Sequence, residues 1–190
     1  MDGAADVAGA AGDGAKKAAL VAKARVSLGG VEVSQLGIGA WAWGDSIFWG
    51  YSEAMDKELQ EARERGITIS EPFPCGCFFF GVSLVQVFNN CVRNGINLFD
   101  TAEVYGLGRS EYLCGKFRRD FKGPDKDGIV IGEDKFAPLP WRLGRGSVVD
   151  ACKSSLDRMG RESMEIYQIH WPFGILSPRY WDGLADCVEK

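Results

Sequence analysis

Histidine is nearly missing: His170 is the one imidazole among 190 residues. Zinc centres need histidines and thiolates at short, regular spacing. The six cysteines, at 75, 77, 91, 114, 152 and 187, form no CxxC pair, so no metal site is expected. They read instead as reduced, packing thiols of an intracellular protein. Basic runs are missing as well. With a formal charge of -4 and no run of five or more Lys/Arg, nothing offers nucleic acid an electrostatic footprint. The longest apolar stretch, Cys77 to Val85, falls far short of the ~20 residues that span a bilayer, so no membrane partner is expected. Residues 1–23 lack any aromatic and consist mostly of Ala and Gly with Asp2, Asp6, Asp13, Lys16 and Lys17. Such a segment has too little apolar surface to order itself and reads as a disordered tail. Transit peptides are Ser- and Arg-rich and poor in acids, the reverse of this tail, so the cytoplasm is the expected location and the plastid the alternative.

What remains is the composition of a globular chain, 46% hydrophobic and 25% charged, long enough for one buried core. Arg25-Val26-Ser27-Leu28 and Val31-Glu32-Val33-Ser34 flank Gly29-Gly30, a β-hairpin pattern. Leu36 to Gly39 follows as a strand and Glu53 to Arg65 as a charged helix. The run from about 66 to 86 breaks the pattern with Pro72, Pro74 and the bare triplet Phe78-Phe79-Phe80. It reads as an atypical insert and, if exposed, an aggregation hazard. Helical periodicity returns at about Val85, with Val85, Phe88 and Val92 on one face and Gly95 ending it. A short apolar strand, Ile96 to Phe99, turns polar at Asp100. A helix then runs to about Phe121, carrying Leu113 and Phe117, and Lys122 to Asp127 reads as a loop. Gly128 to Gly132 is a third strand with Lys135 at its end, and Ser147 to Met159 an amphipathic helix closed by Gly160. Met164 to His170 is a fourth strand, and Tyr180 to Lys190 a last helix.

The stretch Asn97-Leu98-Phe99-Asp100-Thr101-Ala102-Glu103-Val104-Tyr105-Gly106 resembles the strand-two signature of aldo-keto reductases. Lys135-Phe136 resembles the strand-three motif of that family, and Gln168-Ile169-His170-Trp171-Pro172 its strand-four motif. The resemblance implies a TIM-type (β/α)8 barrel fold, of the α/β class, opened by an N-terminal hairpin. It also implies a catalytic tetrad of Asp100, Tyr105, Lys135 and His170. Each of these has a bland alternative: a turn cap, a packing ring, a solvated strand end, a satisfied structural imidazole. Their order on successive strand ends, where loops of α/β proteins converge, favours the functional reading. Glu133 and Asp134 flank Lys135 where the family carries small uncharged residues, and are expected to favour its charged form.

Gly37-x-Gly39-x-x-Ala42 also satisfies a relaxed dinucleotide fingerprint, but an aromatic loop follows it rather than a helix N-terminus. The better reading is the first strand-loop of the barrel family. By resemblance, Gly39, Ala40, Trp41 and Asp100 would then contact NADPH. Trp41 and Trp171 would wall the pocket for a small-molecule carbonyl substrate. Trp41, Trp43 and Trp49 taken singly read equally as packing residues.

The chain carries about four βα units, in 24–190, where a closed barrel of ~250 residues has eight. The resemblance thus covers the N-terminal half of the family pattern, outside the insert. Three functions follow as expectations: NADPH-dependent reduction of aldehydes or ketones to alcohols, a truncated inactive product, or a non-enzymatic interaction module. The last would self-associate through sheet edges left bare or pair with a full-length relative. Which carbonyl would be reduced is open, pyridoxal-like and other aromatic aldehydes included.

Overall fold

The structure is a computed structural model that describes residues 24–65, 83–132, 134–172 and 177–189. The expected tail at 1–23, most of the expected insert and Glu133 lie outside the described residues.

The hairpin forms where the glycine pair predicts it. Strand β1 (Arg25–Leu28) pairs antiparallel with β2 (Val31–Ser34), in the register Arg25↔Ser34 to Leu28↔Val31. Gly29 and Gly30 have φ of 59° and 90°, the left-handed backbone a two-residue turn demands at both positions. Three parallel strands follow in hydrogen-bonded order, β3 (Gly37–Gly39), β4 (Leu98–Asp100) and β5 (Val130–Ile131). A second parallel pair is formed by β6 (Asp134–Phe136) and β7 (Tyr167–Ile169). The expected third strand is therefore two short pieces, and Lys135 sits inside the second rather than beyond the strand. Gly132 lies between them, where a Cβ would come within 2.9 Å of Val130 and 3.0 Å of Ile166.

The helices among the described residues are α1 (Glu53–Glu64), α2 (Leu84–Arg93), α3 (Arg109–Asp120), α4 (Arg145–Met159) and α5 (Ser177–Glu189). Helix α2 starts at Leu84 with Ser83 as its N-cap, so residues 84–86 at the end of the expected insert are helical. The Gln86 side chain accepts from the Ser83 N–H at 3.3 Å, which holds this start. Its inward residues are Leu84, Phe88 and Val92, with Val85 only partly buried. Helices α4 and α5 begin earlier than periodicity suggests, and Lys122 to Asp127 winds into a 3-10 turn over Pro124–Gly128.

The larger core cluster gathers Trp43, Phe88, Phe99 and Phe117, with Phe88 and Phe99 stacked at 4.4 Å between centroids. Trp43, 4% exposed, is thereby a packing residue, and each such ring buried stabilises the fold by ~1.5–3 kcal/mol. Asn97 seals the opposite end of the sheet. Its carbonyl oxygen accepts from the Ser34 N–H at 2.7 Å, while its amide donates to Glu32 O at 3.0 Å and Gly128 O at 2.8 Å. Among the described residues the strands form part of a barrel and do not close one. No described helix is long and apolar enough to cross a membrane.

Candidate active site

Strand register sets the site. Gly39 pairs with Asp100, and the Ala40 N–H donates to Asp100 O at 2.8 Å, so the ends of β3 and β4 stand level. Ser110 Oγ donates to Ala40 O at 2.8 Å, which leaves Thr101 Oγ1 as donor to Ser110 Oγ at 2.8 Å. This buried hydroxyl relay fixes both strand ends to the start of α3. Beyond them the backbone kinks through Gly106 and Leu107, at φ of 55° and 54°. A Cβ on Gly106 would meet Gly44 O at 2.7 Å, so only glycine fits this approach of the Tyr105 loop to the Trp43–Gly44 loop. Leu107 holds a left-handed backbone without that excuse, while 83% exposed.

The structure brings Asp100, Tyr105, Lys135 and His170 together. Lys135 Nζ forms an ion pair with Asp100 Oδ1 and donates to Thr101 O at 2.9 Å. It also stands 5.3 Å from the centre of the Tyr105 ring. Tyr105 Oη and His170 Nε2 are 3.4 Å apart, with the rings edge to face. His170 follows β7 directly, and its N–H donates to Phe136 O at 2.9 Å. Burial, then the charge of Lys135, hold its imidazole below the usual histidine range, against the opposing pull of Asp100 and Glu103. Its Nδ1 is buried with no hydrogen-bond partner among the described residues.

Aromatic rings frame this cluster. Trp41 is 53% exposed, 6.2 Å from the Tyr105 ring and 5.8 Å from that of Trp49. Trp171 is exposed, with its ring 4.7 Å from His170. The Asp45 side chain orders the loop behind Trp41, accepting from the N–H groups of Ile47 and Phe48 at 2.8 Å each. Gly39, Ala40, Trp41 and Asp100 lie together at the paired ends of β3 and β4, and a Cβ built on Gly39 meets nothing within 4 Å.

The expected crowding of Lys135 by Asp134 is corrected. Side chains alternate along a strand, and Asp134 points the other way, fully buried in the field of Glu111 on α3. Burial first, and Glu111 second, push its carboxyl well above the usual range. Sequence reasoning missed two partners of the site, Ser110 and Glu103. The Glu103 carboxylate accepts from the Ala137 N–H at 2.6 Å and pairs with Arg142. Glu103 lies inside the quoted signature, but its partners are over thirty residues away.

Parallel strands thus present an ion-paired lysine, a tyrosine and a histidine at one end. Residues 82–190 match the model of the Aldo/keto reductase family. The chain is 38% identical over 175 residues to the chloroplastic pyridoxal reductase of Arabidopsis thaliana, covering 87% of this chain and 41% of that protein. In structure it resembles the thermostable aldo-keto reductase Tm1743, crystallised with the inhibitor epalrestat. The TM-score is 0.61 at 24% identity, over 87% of this chain and 50% of that one. An aldo-keto reductase from Klebsiella pneumoniae, crystallised with NADPH, gives a TM-score of 0.54 at 22% identity, over 83% of this chain and 42% of that one. This chain belongs to the aldo/keto reductase family, whose members of this type are (β/α)8 barrels. It spans half or less of the length of these relatives.

Proposed function

We propose that the chain carries the proton-transfer half of an NADPH-dependent reductase that converts aldehydes or ketones to alcohols. The observation that carries this reading is Lys135, held by Asp100 and Thr101 while facing the Tyr105 ring, with His170 on the phenol's other side. A phenol near pKa 10 is a poor proton donor at neutral pH. A fixed ammonium beside it favours the phenolate left after donation, so Tyr105 serves as general acid to the carbonyl oxygen. His170 orients that oxygen through Nε2, and its lowered pKa keeps the imidazole neutral near pH 7. Asp100 holds Lys135 in place. Gly39, Ala40, Trp41 and Asp100 would hold the nicotinamide cofactor, which when bound supplies hydride to the carbonyl carbon. Trp41 and Trp171 would wall the substrate pocket and exclude water.

Similarity to a pyridoxal reductase supports aromatic aldehydes as the substrate class and favours the plastid over the cytoplasm. The outer strands β3 and β7 each have one strand neighbour among the described residues. Self-association through those edges is how the described half-frame would cover them.

An NADPH fluorescence titration of the 190-residue chain tests the reading, with saturation at micromolar concentration expected. Pyridoxal reduction should then fall by ~10²–10⁴-fold in Tyr105→Phe, with NADPH binding retained. Unchanged turnover in that variant would remove Tyr105 as the acid.

A further inference from the structure

One peptide group joins the two loops of the site. The carbonyl of Phe136 accepts the His170 N–H at 2.9 Å. The N–H of the same peptide, on Ala137, donates to Glu103 Oε1 at 2.6 Å. Glu103 is two residues before Tyr105, and Phe136 directly follows Lys135. The tyrosine loop, the lysine strand and the histidine strand therefore meet across a single amide whose two ends are both used. Opposed hydrogen bonds on one peptide polarise it and strengthen each other.

The Glu103 side chain is only 7% exposed, so its charge requires partners, and these are built. Arg142 pairs with it and also donates to Ala137 O at 3.3 Å, closing a ring over the same segment. The guanidinium lies 5.3 Å from the centre of the Phe136 ring. Arg142 is fixed in turn through its carbonyl, which accepts from the fully buried Tyr180 at 2.7 Å.

We infer that Glu103 is a positioning residue: through the Phe136–Ala137 peptide it holds the Tyr105 hydroxyl in register with the His170 imidazole. Arg142 keeps Glu103 aimed. The inference rests on Tyr105 and His170 acting as a pair, as proposed above, but its test needs no turnover. The distance from Tyr105 Oη to His170 Nε2, 3.4 Å, is near the limit of a hydrogen bond, so a small shift of the tyrosine loop breaks it. A fixed amide anchored to both loops prevents that shift.

His170 is the only histidine, so its imidazole titrates as one assigned signal by NMR in the full chain. The quantity to measure is the change in the His170 midpoint caused by Tyr105→Phe. It is measured in the parent chain, in Glu103→Gln, and in Glu103→Met. Glutamine keeps the acceptor for Ala137 and loses the charge, whereas methionine keeps the bulk and loses both. The Tyr105→Phe effect should persist in Glu103→Gln and fall below half its size in Glu103→Met. An equal effect in all three backgrounds overturns the inference. So does an equal fall in Glu103→Gln and Glu103→Met, which would make the charge and not the hydrogen bond responsible. If Glu103→Met and Glu103→Ala both fail to melt cooperatively while Glu103→Gln folds, the role is global stability and positioning is again overturned. Absence of reductase activity in the parent chain would defeat the proposed function and leave this coupling measurable.

Discussion

Lys135 and Asp134 are neighbours on one short strand and have opposite surroundings. Lys135 projects to the open side of the sheet, where Asp100 and Thr101 satisfy its ammonium and Tyr105 lies beneath it. Asp134 projects into the layer between sheet and helices, fully buried beside Glu111, with Ser155 and the Lys135 N–H close by but neither carboxylate oxygen in good hydrogen-bond geometry. Its buried neighbour Glu111 takes the Arg158 guanidinium, at 3.0 Å through Nη2. The pleat that aims a cation at the site thus drives a carboxyl, whose ionisation burial opposes, into the packing layer. A charge with built partners is a tool, and the same charge without them is a cost.

The largest break of this comparison is expected on the open side. Lys135→Met removes the cation beside Tyr105 and leaves Asp100 partly buried and unpaired. If the proposed chemistry holds, turnover should drop ~10²–10³-fold, the range for losing one preorganised electrostatic group, while NADPH titration separates lost chemistry from lost binding. A smaller but sizeable effect is expected in the packing layer. Gly115 on α3 lies against the end of α4, where a Cβ would sit 2.2 Å from Met159 O. Backbone cannot yield there as a flexible side chain could, so Gly115→Ala should destabilise the fold by roughly 1–3 kcal/mol in urea unfolding. Retained stability would show that α3 and α4 slide apart freely, which the Arg158–Glu111 pair argues against.

Legibility divides along the same line. The hairpin turn, the helix stop at Gly160 and the spacing of Asp100, Tyr105, Lys135 and His170 are local signals, and each can be read in the chain. Gly160 takes φ of 64°, as a helix-ending glycine does. What could not be read is long-range. Density of β-branched residues marks Gly128 to Gly132 as a strand, yet pairing partners decide that it ends at Ile131 and resumes at Asp134. Glu103 looks like one more polar residue of a loop until Ala137 and Arg142 are placed against it. Asp134 beside Lys135 looks like crowding, because a sequence lists neighbours without saying which face each one takes.

The smallest expected effect sharpens the comparison most, because its sign depends on pH. The Asp134 carboxyl is raised in the folded state, chiefly by burial and then by Glu111. Between its unfolded value near 3.8 and that raised value, the folded chain binds more protons at this site than the unfolded one. Stability contributed by this residue is therefore lost as pH rises through the window, and the full penalty is present above it. Asp134→Asn keeps the shape and removes the ionisation. It should raise stability at pH 8 by on the order of 1–2 kcal/mol, and the gain should shrink steadily and vanish by about pH 4. Urea unfolding of both chains at several pH values measures it. A gain independent of pH would mean that shape or solvation, rather than the proton, sets the difference. A loss at pH 8 would mean that the carboxylate has found the partners which Lys135 has on the other face.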